Sequence, residues 1–196
     1  MLFRSGRPAG PYDSLDVLEW TEEVSMRIWQ AFCSSNFHPR VNEFYLDYGT
    51  IGTAVLYFDE GFAFDVLPIW ECYIDEDAWG AVDTLFRKFR LTARQAVQKF
   101  DAGNLTEDVR TASEKTPDRE FEFIHAVCPS RDLPGSGGSH PFASVWLDSA
   151  SGKVLDESGY WEFPYMVARW MKCSGEVYGR SPAIEAMPDI KNLHSM

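Results

Sequence analysis

The chain has no apolar run long enough to span a bilayer, and Met1 to Gly10 carries no apolar core of the kind that drives secretion. The sequence therefore predicts neither a membrane helix nor a secretory signal. Cysteine is sparse: Cys33, Cys72, Cys128 and Cys173 form no Cys-x-x-Cys and sit beside no histidine pair. A disulfide framework or a zinc site needs closer spacing, so these read as reduced, partly buried thiols of a protein made in cytoplasm. Positive charge is the other deficit. Lys and Arg number 18 against 30 Asp and Glu, a net charge of −12, with a pI near 4.7. Such a chain repels phosphate, so tight non-specific binding of nucleic acid is not expected, although a surface past which DNA slides without sticking remains compatible.

What is abundant is apolar and aromatic side chains, 45% and 15% of the 196 residues. That supports a packed core in one large or two small domains. Residues 1–13, with Gly6, Pro8, Gly10 and Pro11, read as a linker. Asp16 with Glu19 opens a helix at about 16–34, on which Val17, Thr21, Val24, Ile28 and Phe32 keep helical spacing. A second short helix around Val41 to Tyr48 ends at Gly49 as its C′ residue. From Ile51 the period changes. Segments 53–58, 62–69, 71–74 and 81–90 are rich in β-branched and aromatic residues and are broken by turns at Asp59-Glu60-Gly61 and Asp77 to Gly80. They predict an antiparallel sheet with the first helices on one face.

Thr92 caps a helix to about Phe100, with Ala93, Ala96, Val97 and Phe100 on one side, and a further helical piece spans Thr106 to Ser113. Residues 121–127 alternate as a strand, and Pro134 to Ser139 is a Gly/Ser-rich loop. Segments 142–148 and 153–157 flank Ser149-Ala150-Ser151-Gly152 as a hairpin, and 164–172 is another strand. Pro182 fits the first turn of a last helix, and Gly179 is expected where the backbone adopts a conformation closed to other residues.

Few constellations suggest chemistry. Asp75-Glu76-Asp77-Ala78-Trp79-Gly80 begins like a calcium loop, but Phe86 stands where a bidentate Glu is required, so an acidic turn is the better reading. Gly135 to Ser139 runs into His140-Pro141 rather than a Lys-Ser or Lys-Thr, unlike a phosphate loop. His38, His125, His140 and His194 are isolated, and Cys128 lies an odd number of residues from His125, so no nucleophile-base pair emerges. Asp148, Asp156 and Glu157 support a hydrolase only as unpaired acids. Arg87-Lys88-Phe89-Arg90 is the one dense basic run; alternation puts Arg87 with Phe89 and Lys88 with Arg90, either as a charged sheet edge or as a phosphate or interface contact. Trp146, Tyr160, Trp161 and Phe163 pack a small β region or form a stacking surface.

Tyr178-Gly179-Arg180-Ser181-Pro182, followed by the apolar register of Ala183 to Leu193, resembles the head-to-tail connecting (portal) proteins of short-tailed bacteriophages. Phe44 to Ala54, Ile69 to Asp77, Val82-Asp83-Thr84, Arg87-Lys88-Phe89 and Leu91 to Phe100 follow in the family's order, with Asp101 departing from an expected glycine. The resemblance spans about residues 14–193.

It implies an α+β fold: an antiparallel wing sheet with N-terminal helices, a helical stem segment and a small β-rich clip, truncated at the start of a long helix. Residues 14–90 would be wing-like, 91–113 stem-like, 114–178 clip-like and 179–196 the start of a second stem helix. Tyr178, Gly179, Arg180, Ser181 and Pro182 would form a hinge or subunit contact, with Arg180 bracing the corner through a carboxylate or reaching a neighbouring subunit. The family further implies a twelve-subunit ring at a capsid vertex of the virion. Double-stranded DNA passes through it without sequence-specific binding, driven by a separate packaging motor, with capsid and tail proteins as partners. No enzyme activity, cofactor or metal is implied. The competing expectation is a small α+β binding module that uses its aromatic cluster for carbohydrate or protein.

Overall fold

A computed structural model describes residues 15–59, 61–133 and 139–194. The expected linker at 1–13 and most of the Gly/Ser-rich loop, residues 134–138, lie outside them.

Helix α1 (Leu15–Ser34) turns into α2 (Phe37–Thr50) at Asn36. The Asn36 amide fixes this corner to the strand beyond it, donating to the Phe64 carbonyl at 2.7 Å and accepting from the Phe64 N–H at 2.9 Å. Phe32, Phe37 and Phe64 pack around it, with ring centroids 4.7–5.9 Å apart. Helix α2 runs through Gly49, which is not its C′ residue. The left-handed position is Gly52, with φ +96° and its N–H on the Asp47 carbonyl at 3.3 Å. Neither α1 nor α2 buries a whole residue, but α2 packs along β1 and β2, where Ala54 and Leu56 are buried on the sheet face away from Val55.

The strands are β1 (Thr53–Phe58), β2 (Phe64–Leu67), β3 (Cys72–Glu76) and β4 (Val82–Thr92). Helices α3 (Ala93–Lys99) and α4 (Glu107–Lys115) precede β5 (Glu120–Pro129), β6 (Phe142–Asp148), β7 (Val154–Tyr160) and β8 (Tyr165–Arg169). The short strands β9 (Met171–Lys172) and β10 (Gly179–Arg180) lead into α5 (Pro182–His194). A three-stranded sheet has the order β2-β1-β8, a five-stranded sheet the order β3-β4-β5-β6-β7, and β9 pairs with β10, all antiparallel.

This α+β architecture matches the predicted class, but the strands sort differently from their sequence grouping. The segment 53–90 is divided between two sheets, because the single turn at Ile69–Glu71 redirects the chain after β2. Strands from 53–92 and from 120–169 hydrogen-bond into both larger sheets, so the stretches expected as wing-like and clip-like share one framework. The expected strand 164–172 is likewise two, β8 joining β1 and β9 joining β10.

Two apolar clusters follow. Val55, Leu67, Cys72, Ile74, Leu85, Val127 and Tyr165 fill the space between the larger sheets. Phe89, Ala96, Phe100, Leu105, Val109, Phe123 and Leu155 form the second, where α3 and α4 cover the five-stranded sheet. Each fully buried side chain of this size contributes roughly 2 kcal/mol. Thr92 and Gln95 make the reciprocal capping box that starts α3. Val97 is 39% exposed rather than part of that helix's apolar face. The helical region 92–113 is two short helices separated by a turn, so no continuous stem-like helix is present there.

Candidate functional site: the strand-to-helix corner

Tyr178 to Pro182 forms the junction at which α2, β1, β9 and α5 meet. The Tyr178 hydroxyl donates to the Cys72 carbonyl at 3.2 Å and accepts the Ile74 N–H at 3.1 Å, tying the segment to β3. The Thr53 hydroxyl accepts the Gly179 N–H at 2.8 Å and lies 3.4 Å from the Gly179 carbonyl, so one buried side chain serves both backbone groups. Gly179 does not have a positive φ, contrary to expectation; its requirement is space. A Cβ there would lie 2.5 Å from the Gly52 carbonyl oxygen and 2.9 Å from the Trp170 nitrogen. Gly52 is under the same constraint, since its Cβ would meet the Ser181 nitrogen at 2.3 Å.

Ser181 is fully buried. Its hydroxyl donates to the Thr50 carbonyl at 2.6 Å and accepts the Ile184 N–H at 3.0 Å, so it caps the N-terminus of α5 while holding the C-terminus of α2. Pro182 occupies the first position of α5, where no backbone donor is needed. Arg180 makes a fork on the Glu176 carboxylate, with Nε to Oε2 at 2.9 Å. That pairing holds the Glu176 carboxyl below the usual carboxylate range. Both side chains are solvent-exposed, so the pair orients the turn more than it stabilises it.

A second brace was not legible in the sequence. Glu76, at the end of β3, accepts from Arg169 and from Lys172, the latter at 2.6 Å. Arg169 also donates to the Val177 carbonyl at 3.1 Å and the Gly80 carbonyl at 3.0 Å. The Lys172 and Arg169 hydrogen bonds hold the Glu76 carboxyl low. These partners are about a hundred residues apart in the chain, and no local pattern marks them.

The basic run lies on β4, which is interior to its sheet and not a charged edge. Alternation does hold: Arg87 and Phe89 face the core, Lys88 and Arg90 the outside. Every one of these cations meets a carboxylate: Arg87 Glu71 at 2.9 Å, Lys88 Glu122 at 2.9 Å and Arg90 Glu120 at 3.7 Å.

The remaining candidates have structural roles. The Asp77 carboxylate accepts the Trp79 and Ala81 N–H groups at 2.9 and 2.8 Å, an acidic turn closed by Gly80 at φ +82°. Asp148 accepts from Ala150 N–H, Ser151 N–H and the Thr106 hydroxyl, and so builds the β6–β7 turn. His125 is buried between the Ser144 hydroxyl at 2.9 Å and the Tyr165 hydroxyl at 3.0 Å, stacked on Trp146 at 3.6 Å. Burial, with Lys99 and Arg87 nearby, pushes its pKa down to about 3 and keeps it neutral. Tyr160, Trp161 and Phe163 line one shallow groove, while Trp146 packs among Phe89, Phe100 and His125 and meets only Tyr160 of that group, across a second cleft. Among the described residues no His, Cys, Asp and Glu cluster is arranged to hold a metal ion, and no helix is long and apolar enough to cross a membrane.

Comparison with known proteins gives these observations a family. Over 189 residues the chain is 33% identical to the portal protein of Salmonella phage epsilon15, covering 89% of this chain and 33% of that protein. Over 191 residues it is 29% identical to the probable portal protein of Bordetella phage BPP-1, covering 92% of this chain and 34% of that protein. The chain thus spans about a third of the length of the curated relatives it matches. The family described as bacteriophage head to tail connecting protein matches residues 5–196, which include the whole Tyr178–Pro182 corner. The chain belongs to the bacteriophage head to tail connecting protein family.

Proposed function

We propose that this chain is part of a portal subunit: one of about a dozen copies in a ring at the capsid vertex, through which double-stranded DNA is packaged and ejected. The observation that carries the reading is the family match over residues 5–196. The role is structural rather than catalytic, with a separate motor supplying the work and with capsid and tail proteins as neighbours in the virion.

Two physical features support it. Helices α1, α2 and α5 bury no residue. On α1, Leu15, Leu18, Met26 and Trp29 share one outward side at helical spacing, each between 46% and 76% exposed. A second apolar stripe roughly opposite the inward one, which holds Val17, Val24 and Ala31, suits a helix packed between two bodies. The net charge of −12 suits a conduit that must not pin the DNA backbone.

Because strands of 53–92 and 120–169 share their sheets, we read both as one wing-like body, with α5 leading away from it through the Tyr178–Pro182 hinge. Lys88 and Arg90, already met by carboxylates, fit a contact with a neighbouring subunit better than one with a DNA phosphate.

The test is to express the full reading frame containing this chain and image it by electron microscopy. Closed rings are expected; a strictly monomeric species at high concentration would overturn the reading.

A further inference from the structure

A cleft of about 300 Å³ opens between the two larger sheets, lined by Tyr57, Arg87, Lys99, His125, Trp146 and Tyr165 among others. Its volume lies at the small end of ligand sites. The Lys99 ammonium stands 3.8 Å over the Trp146 ring and 5.3 Å from the centre of Phe89. The Arg87 guanidinium carbon lies 4.8 Å from that same Phe89 centre, so both cationic heads stand against one ring.

Charge in this cleft is unbalanced. Arg87 shares Glu71 at 2.9 Å, and Asp65, the carboxylate on the lining, lies 3.6 Å from Arg40. Lys99 has no hydrogen bond or ion pair among the described residues, although the chain carries 30 carboxylates against 18 cations. Crowding by the rings, with repulsion from Arg87, outweighs the attraction of Asp65 and pushes its pKa down to about 8. Yet the residue is exposed as a whole, so a ligand can reach the ammonium from solvent.

Lys99, held over an indole and near a guanidinium, has a carboxylate in its surroundings but none in direct contact, since Asp65 is drawn to Arg40. We propose that this cleft binds a small oxyanion, a phosphate or carboxylate group, between Lys99 and Arg87. The oxyanion accepts from the three unengaged Lys99 donors and from the outer edge of Arg87, whose Nε is on Glu71. The aromatic walls leave room for a ring or short chain attached to the acid group. This site is separate from the corner at Tyr178–Pro182 and does not depend on ring assembly.

The experiment is a titration of the isotopically labelled 196-residue chain with inorganic phosphate and, separately, with benzoate, followed by NMR. Saturable shifts are expected at the Trp146 indole N–H and the Tyr165 amide, with the outlying Trp79 unmoved. Phosphate alone saturating assigns a free phosphate ligand, and preference for benzoate assigns an organic acid; either supports the site. Lys99→Gln should weaken affinity about 10-fold and Lys99→Arg should restore most of it, while Lys191→Gln on α5 changes nothing. No saturation by about 20 mM of either anion, or unchanged affinity in Lys99→Gln, overturns the proposal. Should Lys99→Gln fail to fold, the wild-type titration still decides: shifts confined to the cleft support the site, and uniform shifts across the surface overturn it.

Discussion

The Ser181 hydroxyl donates to the carbonyl of Thr50 at 2.6 Å across 131 residues of chain. Because the same oxygen accepts the Ile184 N–H, the last turn of α2 and the first turn of α5 share one side chain. That hydroxyl therefore ties the two helices directly to each other, alongside the backbone packing of Gly52 against Gly179 and Ser181.

Replacing Ser181 by alanine removes a cap and leaves a buried carbonyl without its donor. A loss of about 1–2 kcal/mol is expected from denaturant unfolding. Hydrogen exchange at Ile184 should accelerate, while the amides of β5 and β6 stay protected.

Glycine substitutions separate space from flexibility. Gly179→Ala drives a methyl against the Gly52 oxygen and Trp170 nitrogen, both backbone, and should cost about 2–3 kcal/mol. Gly49→Ala meets nothing within 4 Å inside a helix and should stabilise by about 0.5 kcal/mol or more. Equal effects at the two positions in thermal melts would contradict the packing described for the corner.

Acid stability should report on His125. Its pKa is near 3 in the fold against 6.5 unfolded, so the unfolded chain binds the proton first as pH falls. The stabilisation is complete above about pH 6.5 and is lost progressively toward pH 3, by up to about 5 kcal/mol at 1.36 kcal/mol per unit. His125→Gln should flatten this acid limb in urea melts recorded between these pH values.

The outward stripe of α1 gives a test of assembly. Trp29→Glu alters a residue 61% exposed, so the isolated chain should unfold within about 0.5 kcal/mol of the parent. In the full-length protein the same change should abolish rings in size-exclusion chromatography with light scattering. Intact rings would place the subunit contact elsewhere.

Local elements were largely legible because their signals are local. β1 at Thr53–Phe58 follows from a run rich in β-branched and aromatic residues, the start of α3 from the capping Thr92, and the β6–β7 hairpin from the Ser149–Gly152 turn. Alternation correctly set Arg87 and Phe89 on one face of β4 and Lys88 and Arg90 on the other, but not which face is inward. Which strands would pair was not legible: β4 finds β5 across two intervening helices, and β8 crosses more than a hundred residues to reach β1. Those choices rest on complementary shapes that exist only after collapse, and periodicity carries no trace of them. The corner residues could be named from sequence, but the reason for Gly179 could not, because the atoms it avoids belong to Gly52 and Trp170. Lys99 carries no mark in the sequence for the same cause: its want of a direct partner is a property of three-dimensional neighbours, not of its helix.

The pairing of β8 with β1 sets an order of events. Closing a loop of 131 residues through one hydroxyl is entropically unfavourable unless the intervening strands have already brought its ends together. The bonds of Ser181, Gly179 and Tyr178, made to α2, β1 and β3, are therefore expected to form once β1 and β8 have paired. With Ser181 0% and Thr53 1% exposed, the junction is a dry clasp, and any load carried by α5 passes through it into both ends of the chain's framework.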